Sequence, residues 1–133
     1  SSNDGPVAPT EERLDRLARP SLAAKATALG FALGGVAHAT GWLLLFFRIE
    51  LYGPGYPHWR HAVFALIDAS IVWLAVRRPE WLVFALVAFL TDQIWEHGVQ
   101  TITVLVMLAV LAVGLERLVP VLRRRGKPCP TRW

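Results

Sequence analysis

Four apolar stretches follow one another along the chain, at about Ala26 to Phe47, Ala62 to Val76, Trp81 to Trp95 and Val99 to Leu115, with polar punctuation between them. A bilayer core requires about 20 residues of helix, within a range of about 17 to 25. The first stretch is long enough and the second and third are short. Both lengthen when His58, Arg60 and His61 lead into the second helix and Glu96 and His97 end the third, because polar helix ends reach the interface. The pattern predicts an all-α fold, an integral membrane four-helix bundle with spans near 22–47, 58–76, 80–97 and 99–119. Arg77-Arg78-Pro79-Glu80 is the strong break between the second and third helices and leaves no room for a second domain.

On this reading residues 21–122 form the membrane domain, 1–20 an N-terminal tail and 123–133 a basic C-terminal tail. Within the first tail, Thr10 is placed to cap a short amphipathic helix in which Leu14, Leu17 and Ala18 share a face. Pro20 breaks it and Ser21 caps the first span. No apolar signal-peptide core is present in the first twenty residues.

Charge changes the picture by giving the spans a direction. Arg13, Arg16, Arg19 and Lys25 precede the first span, Arg77 and Arg78 join the second to the third, and Arg117, Arg123, Arg124, Arg125, Lys127 and Arg132 follow the fourth. These flanks share one side of a four-span chain. The other side carries Arg48 and Arg60, and no Lys or Arg between Thr91 and Thr103. Cytoplasmic flanks are enriched in Lys and Arg, so both termini are expected to be cytoplasmic, in a bacterial inner membrane. The net charge of +4 is then largely a topology signal, and no nucleic-acid partner follows from it. Composition agrees with the class: 54% hydrophobic residues against 18% charged leaves a buried soluble bundle as the weaker alternative. Cys129 is the only cysteine, which excludes an intramolecular disulfide.

The connection from Leu51 to Trp59 is rich in Gly, Pro and aromatic residues, as a turn at the outer interface should be. Tyr52, Tyr56 and Trp59 read either as interfacial anchors or as a lid over a cavity. In the first span, Gly30 and Gly34 have the small-xxx-small spacing that lets membrane helices approach closely, with Gly41 continuing the glycine series. His38 falls on the same seam, where an imidazole must find a hydrogen-bond partner or bind something.

At 1.5 Å per residue from the turn at Arg78 and Pro79, Asp68 lies roughly 15 Å along its helix, Asp92 roughly 20 Å, and His61, Glu96 and His97 roughly 25 Å. His61 and Asp68 are seven residues apart and share a face, and Asp92 and Glu96, four apart, share another. A carboxylate in hydrocarbon costs about 2.5 to 3.5 kcal/mol on insertion scales, so Asp68 and Asp92 are expected to face the interior, pair or hold a proton.

These residues define the expected site. Asp92, Glu96 and His38 are the acid/base candidates, and Asp68, His61, His97 and Trp95 the ligand-binding ones. His38, His61, Asp92 and Glu96 are also the candidates for a metal, and the residues do not specify a cofactor, whether metal, haem or pigment. Glu96 and His97 equally suit the wet end of a helix capped by Gly98. Gln100, Thr101 and Thr103, at the start of the fourth span, read as structural. There is no GxGxxG, P-loop, CxxC or HExxH pattern. The leading expectation is an outward-opening polar cavity within the membrane that binds a small ligand, metal ion or lipid-like substrate, with scope for acid/base chemistry. An accessory subunit of a larger membrane complex is the alternative, and a small transporter or channel subunit, as a homo-oligomer, is the third.

Overall fold

A computed structural model describes residues 19–126. Within them the chain is all-helical: α1 (Leu22–Leu45), α2 (His58–Arg77), α3 (Pro79–His97) and α4 (Thr101–Arg125). The amphipathic helix expected over Thr10 to Ala18, and the tail containing Cys129, lie outside the described residues. Three segments, Leu22–Leu45, His58–Arg77 and Thr101–Pro120, are long and apolar enough to cross a membrane. Pro79–His97 is not among them, because Glu80, Asp92 and Glu96 fall within its 19 residues.

Burial runs opposite to the pattern of a water-soluble domain. Leu29, Leu33, Val36, Leu66, Phe84 and Leu111 are exposed, while His61, Asp68, Gln93 and Thr103 are buried. An apolar exterior around polar interior positions suits hydrocarbon as the solvent, as in a membrane protein.

Local chemistry accounts for the helix ends. Ser21 is the N-cap of α1, its Oγ accepting from the Ala24 N–H at 3.1 Å. A second free donor of that first turn, the Ala23 N–H, donates to Glu116 of α4 at 3.2 Å. Both contacts satisfy backbone groups with no partner inside the helix, and the carboxylate suits the positive end of the helix dipole. Between α2 and α3 only Arg78 intervenes, with Pro79 as the first residue of α3. A residue before proline is driven out of the helical region, and proline itself starts a helix readily, so one residue reverses the chain.

Gly98 then takes φ 68° at the end of α3. Helix α4 opens at Thr101, two residues later than the apolar run suggests, because Gln100 and Thr103 form a capping box. The Gln100 N–H donates to Thr103 Oγ1 at 2.7 Å, which fixes the helix start at Gln100. At its other end α4 continues to Arg125, beyond the boundary expected near 119, with Pro120 inside it. A proline at that position forfeits one backbone hydrogen bond without ending the run of helix-forming residues around it.

Packing falls into two tiers. Near the Arg77–Arg78 end, Ala24, Ile71, Ala75, Leu82, Leu86 and Val113 form a buried apolar core drawing on all four helices. Toward the opposite end, α1 and α2 form the most extensive helix pair, whereas α1 and α4 touch least of the neighbouring pairs. The α1–α2 approach runs through glycine. A Cβ at Gly34 would lie 3.1 Å from Asp68 Oδ2, one at Gly35 3.2 Å from Asp68 Cβ, and one at Gly41 2.8 Å from His61 Cε1. Gly30, the other half of the expected Gly30-xxx-Gly34 seam, has nothing within 4 Å of its Cβ position. The seam is therefore Gly34, Gly35 and Gly41.

Gly41→Ala should lower stability by about 1–3 kcal/mol, since the added methyl must displace a buried imidazole. Gly30→Ala should be neutral or gain up to about 1 kcal/mol from helix propensity. Thermal unfolding of the two purified variants in one detergent checks this; equal losses at both positions would contradict the assigned seam.

Candidate functional site

The glycine seam brings α2 close enough for His61 and Asp68 to press against α1. Phe64, Asp68 and Ile71 continue the stripe that His61 begins, and all four are buried. His61 is 1% exposed and lies against Gly41, with its ring centroid 4.9 Å from Tyr52 and 4.5 Å from Tyr56. His38 enters from α1 between these groups. Its ring stacks on Tyr52 at 5.0 Å and an interplanar angle of 1°, and on Phe64 at 5.4 Å, with His61 at 5.7 Å. The connection between α1 and α2 therefore folds inward: Gly53 and Gly55 take φ 90° and 85°, in the left-handed region open to glycine, and Tyr52 and Tyr56 stack on one another at 5.3 Å. Burial raises the pKa of both phenols above their ordinary value. Tyr56 and Asp68 add to the effect at Tyr52, and the Arg60 charge opposes it at Tyr56. Both hydroxyls keep their protons at neutral pH and remain available as donors.

Beside this cluster lies a cavity of about 900 Å³, bounded by α1 and α4 with contributions from the other helices. Its lower wall is apolar and small, including Ala23, Ala26, Gly30, Ala109 and Ala112. Its polar groups are His38, Tyr52, Tyr56, Asp68, Gln93, His97 and Gln100, with Thr27 deeper. Asp68 is 4% exposed, and no side chain among the described residues donates to its carboxyl group. His38 Nδ1, His61 Nδ1 and Arg60 Nε are buried polar atoms that also lack a partner among the described residues. Unpaired polar groups at such depth are costly, and two of the residues, His38 and Asp68, line the cavity.

The sequence-derived candidates divide accordingly. His38, Asp68 and His97 line the cavity; His61 braces it from behind Tyr52 and Tyr56. Glu96 is instead held by Arg60, Nη2 to Oε2 at 2.9 Å, a tie between α2 and α3. Asp92 is exposed, accepts from Gln93 Nε2 at 3.3 Å and does not line the cavity; Trp95 is 89% exposed. Among the described residues no group of three or more His, Cys, Asp or Glu side chains is placed to hold a metal ion. Of the metal candidates, His38 and His61 meet, and Asp92 and Glu96 do not join them in such a group.

The rotation of α3 explains the difference. Leu82 and Leu86 are buried in the apolar tier, and the same helical stripe continues through Phe89 to Gln93 and His97. That places Gln93 and His97 on the cavity and turns Asp92 and Glu96 away from it. Gln93 and Gly35 were not singled out in the sequence, although extending the Leu82-Leu86-Phe89 spacing points to Gln93. Comparison with protein-family models, curated proteins and solved structures gave no match.

His61→Ala should destabilise the protein by about 2–4 kcal/mol, because it leaves a void beneath two tyrosines where the imidazole was fully enclosed. Asp92→Asn should change stability by less than about 0.5 kcal/mol. Denaturant titrations of both variants test the contrast, and a larger loss for Asp92→Asn would contradict the rotation of α3.

Proposed function

We propose that the protein resides in a bacterial inner membrane, that all four helices cross it with both termini cytoplasmic, and that the cavity opens outward to bind a small lipid-like ligand. The observation that carries this reading is the cavity itself: about 900 Å³, apolar along its length and polar toward one end. That profile matches a molecule with a hydrocarbon body and a polar head, and its size falls in the range of small-molecule sites. Crossing by α3 is supported by its length, since 19 residues of helix extend about 28 Å, close to the hydrocarbon thickness. Two of its three acidic residues are also paired, Glu80 with Arg78 at 3.4 Å and Glu96 with Arg60. In this reading Asp68, His38 and His97 meet the ligand head, and any acid/base step falls to Asp68 and His38.

Asp92 supports the second reading, of an accessory subunit or homo-oligomer. It is an exposed carboxylate on the same helix as the exposed Trp95, on a surface facing away from the cavity. A neighbouring subunit with a donor at that level would satisfy it.

Native mass spectrometry of protein purified in mild detergent distinguishes the two. A bound amphiphile is expected on the parent and on Asp92→Asn, and is expected to be lost from Gly30→Trp, whose indole would fill the open space at that glycine. A parent with no adduct, or an adduct unaffected by Gly30→Trp, would contradict the cavity reading; a larger assembly dissociated by Asp92→Asn would favour the second. For orientation, Cys129 should react with an impermeant thiol reagent only after the membrane is opened. Labelling in intact spheroplasts would reverse the topology.

A further inference from the structure

The cavity's ionisable lining is unbalanced. Among the described residues Asp68 is the only acidic one lining the cavity, and neither Lys nor Arg lines it. Arg60 stands behind the wall, its guanidinium carbon 5.5 Å from the Phe64 ring centroid and 5.8 Å from that of Tyr56, with its charge paired to Glu96 through Nη2 at 2.9 Å. Among the described residues His38 and His97 are the cavity-lining side chains able to carry positive charge.

A chain of aromatic rings also lines the cavity. Phe31 meets Phe89 at 5.2 Å, Phe89 meets Phe64 at 6.3 Å, Phe64 meets His38 at 5.4 Å, and His38 meets Tyr52 at 5.0 Å. Every one of these rings lines the cavity. Phe64 lies one helical turn before Asp68 on the same face. Ring faces attract cations through their quadrupole, and the attraction strengthens when the ion is desolvated. An anion meets the opposite: a like charge at Asp68 and the negative faces of the rings. A neutral head leaves the carboxyl group without a counter-charge.

We infer that the cavity's ligand is a hydrophobic organic cation, its positive centre beside Asp68 at the aromatic end of the cavity and its apolar body along Gly30, Ala109 and Ala112. This rests on the cavity being a ligand site and adds the charge and class of the ligand. A lipid with an ammonium headgroup and a free lipophilic cation share this chemistry.

Tetraphenylphosphonium and tetraphenylborate, alike in size and shape but opposite in charge, provide the test. Each is equilibrated by dialysis at pH 8 with the full chain in dodecyl maltoside, and uptake by protein-free micelles is subtracted. The phosphonium should bind at least tenfold more tightly than the borate. Asp68→Asn should remove that preference, Asp68→Glu should retain it, and Phe64→Leu should weaken phosphonium binding several-fold with thermal unfolding of the variant near that of the parent. If Asp68→Asn does not fold, the phosphonium-to-borate ratio on the parent and the Phe64→Leu result decide the matter.

Equal binding of both ions, both blocked by Gly30→Trp, would overturn the charge assignment and leave the cavity standing. Binding of neither ion would overturn both. Competition by added phosphatidylethanolamine would identify a lipid headgroup as the source, and its absence a free cation.

Discussion

Close approach of two backbones organises the described residues. Where Gly34, Gly35 and Gly41 replace side chains with bare backbone, α2 advances until Asp68 and His61 press on α1. Any Cβ at Gly41 would meet the imidazole at 2.8 Å, so the position of His61 and the absence of a side chain there are one condition. From that contact follow the inward fold of Tyr52 and Tyr56, the stacking of His38 and the depth at which Asp68 is enclosed. Helix association in hydrocarbon lacks a hydrophobic driving force, so such short-range packing carries a larger share of the specificity than in water.

The same closeness on one side creates space on the other. With α1 drawn toward α2, its contact with α4 is concentrated at the Arg77–Arg78 end, where the Ala23 N–H donates to Glu116 and Ala24 shares a core with Val113. Above that point small residues, Gly30 on α1 with Ala109 and Ala112 on α4, face one another across the cavity. The apolar tier fixes the bundle at one end, and the cavity with its polar wall occupies the remainder. The apolar core and the cavity thus occupy different levels of the same four helices, linked by the stripe on α3 that runs from Leu82 to His97.

Much of this was legible in the sequence, for identifiable reasons. Helix class and approximate boundaries follow from apolar runs and from Pro20, Ser21, Pro79 and Gly98, whose backbone chemistry acts locally. The seven-residue spacing of His61 and Asp68 announced a common face because both sit on one helix. What failed to transfer was the rotation of one helix against the others. Asp92 stands out in the sequence as the deepest ionisable group of α3, yet the apolar residues Leu82, Leu86 and Phe89 set that rotation and carry Gln93 inward in its place. Gly30 misled for a related reason: small-residue spacing reveals where helices are able to approach, and partner geometry decides where they do. The Arg60–Glu96 tie joins residues 36 positions apart and has no local signal.

On the proposed reading, α1 and α4 present one face to an accessible cavity and the other to lipid. Thiol reactivity tests it most directly, using adjacent positions at equal depth in a Cys129→Ser background. Gly30→Cys and Ala112→Cys line the cavity, whereas Leu29 and Leu111 are exposed on the outer surface. In membrane vesicles, a water-soluble methanethiosulfonate should modify Cys at positions 30 and 112 at least tenfold faster than at 29 and 111. Equal rates within each pair, or faster reaction at 29 and 111, would contradict the account.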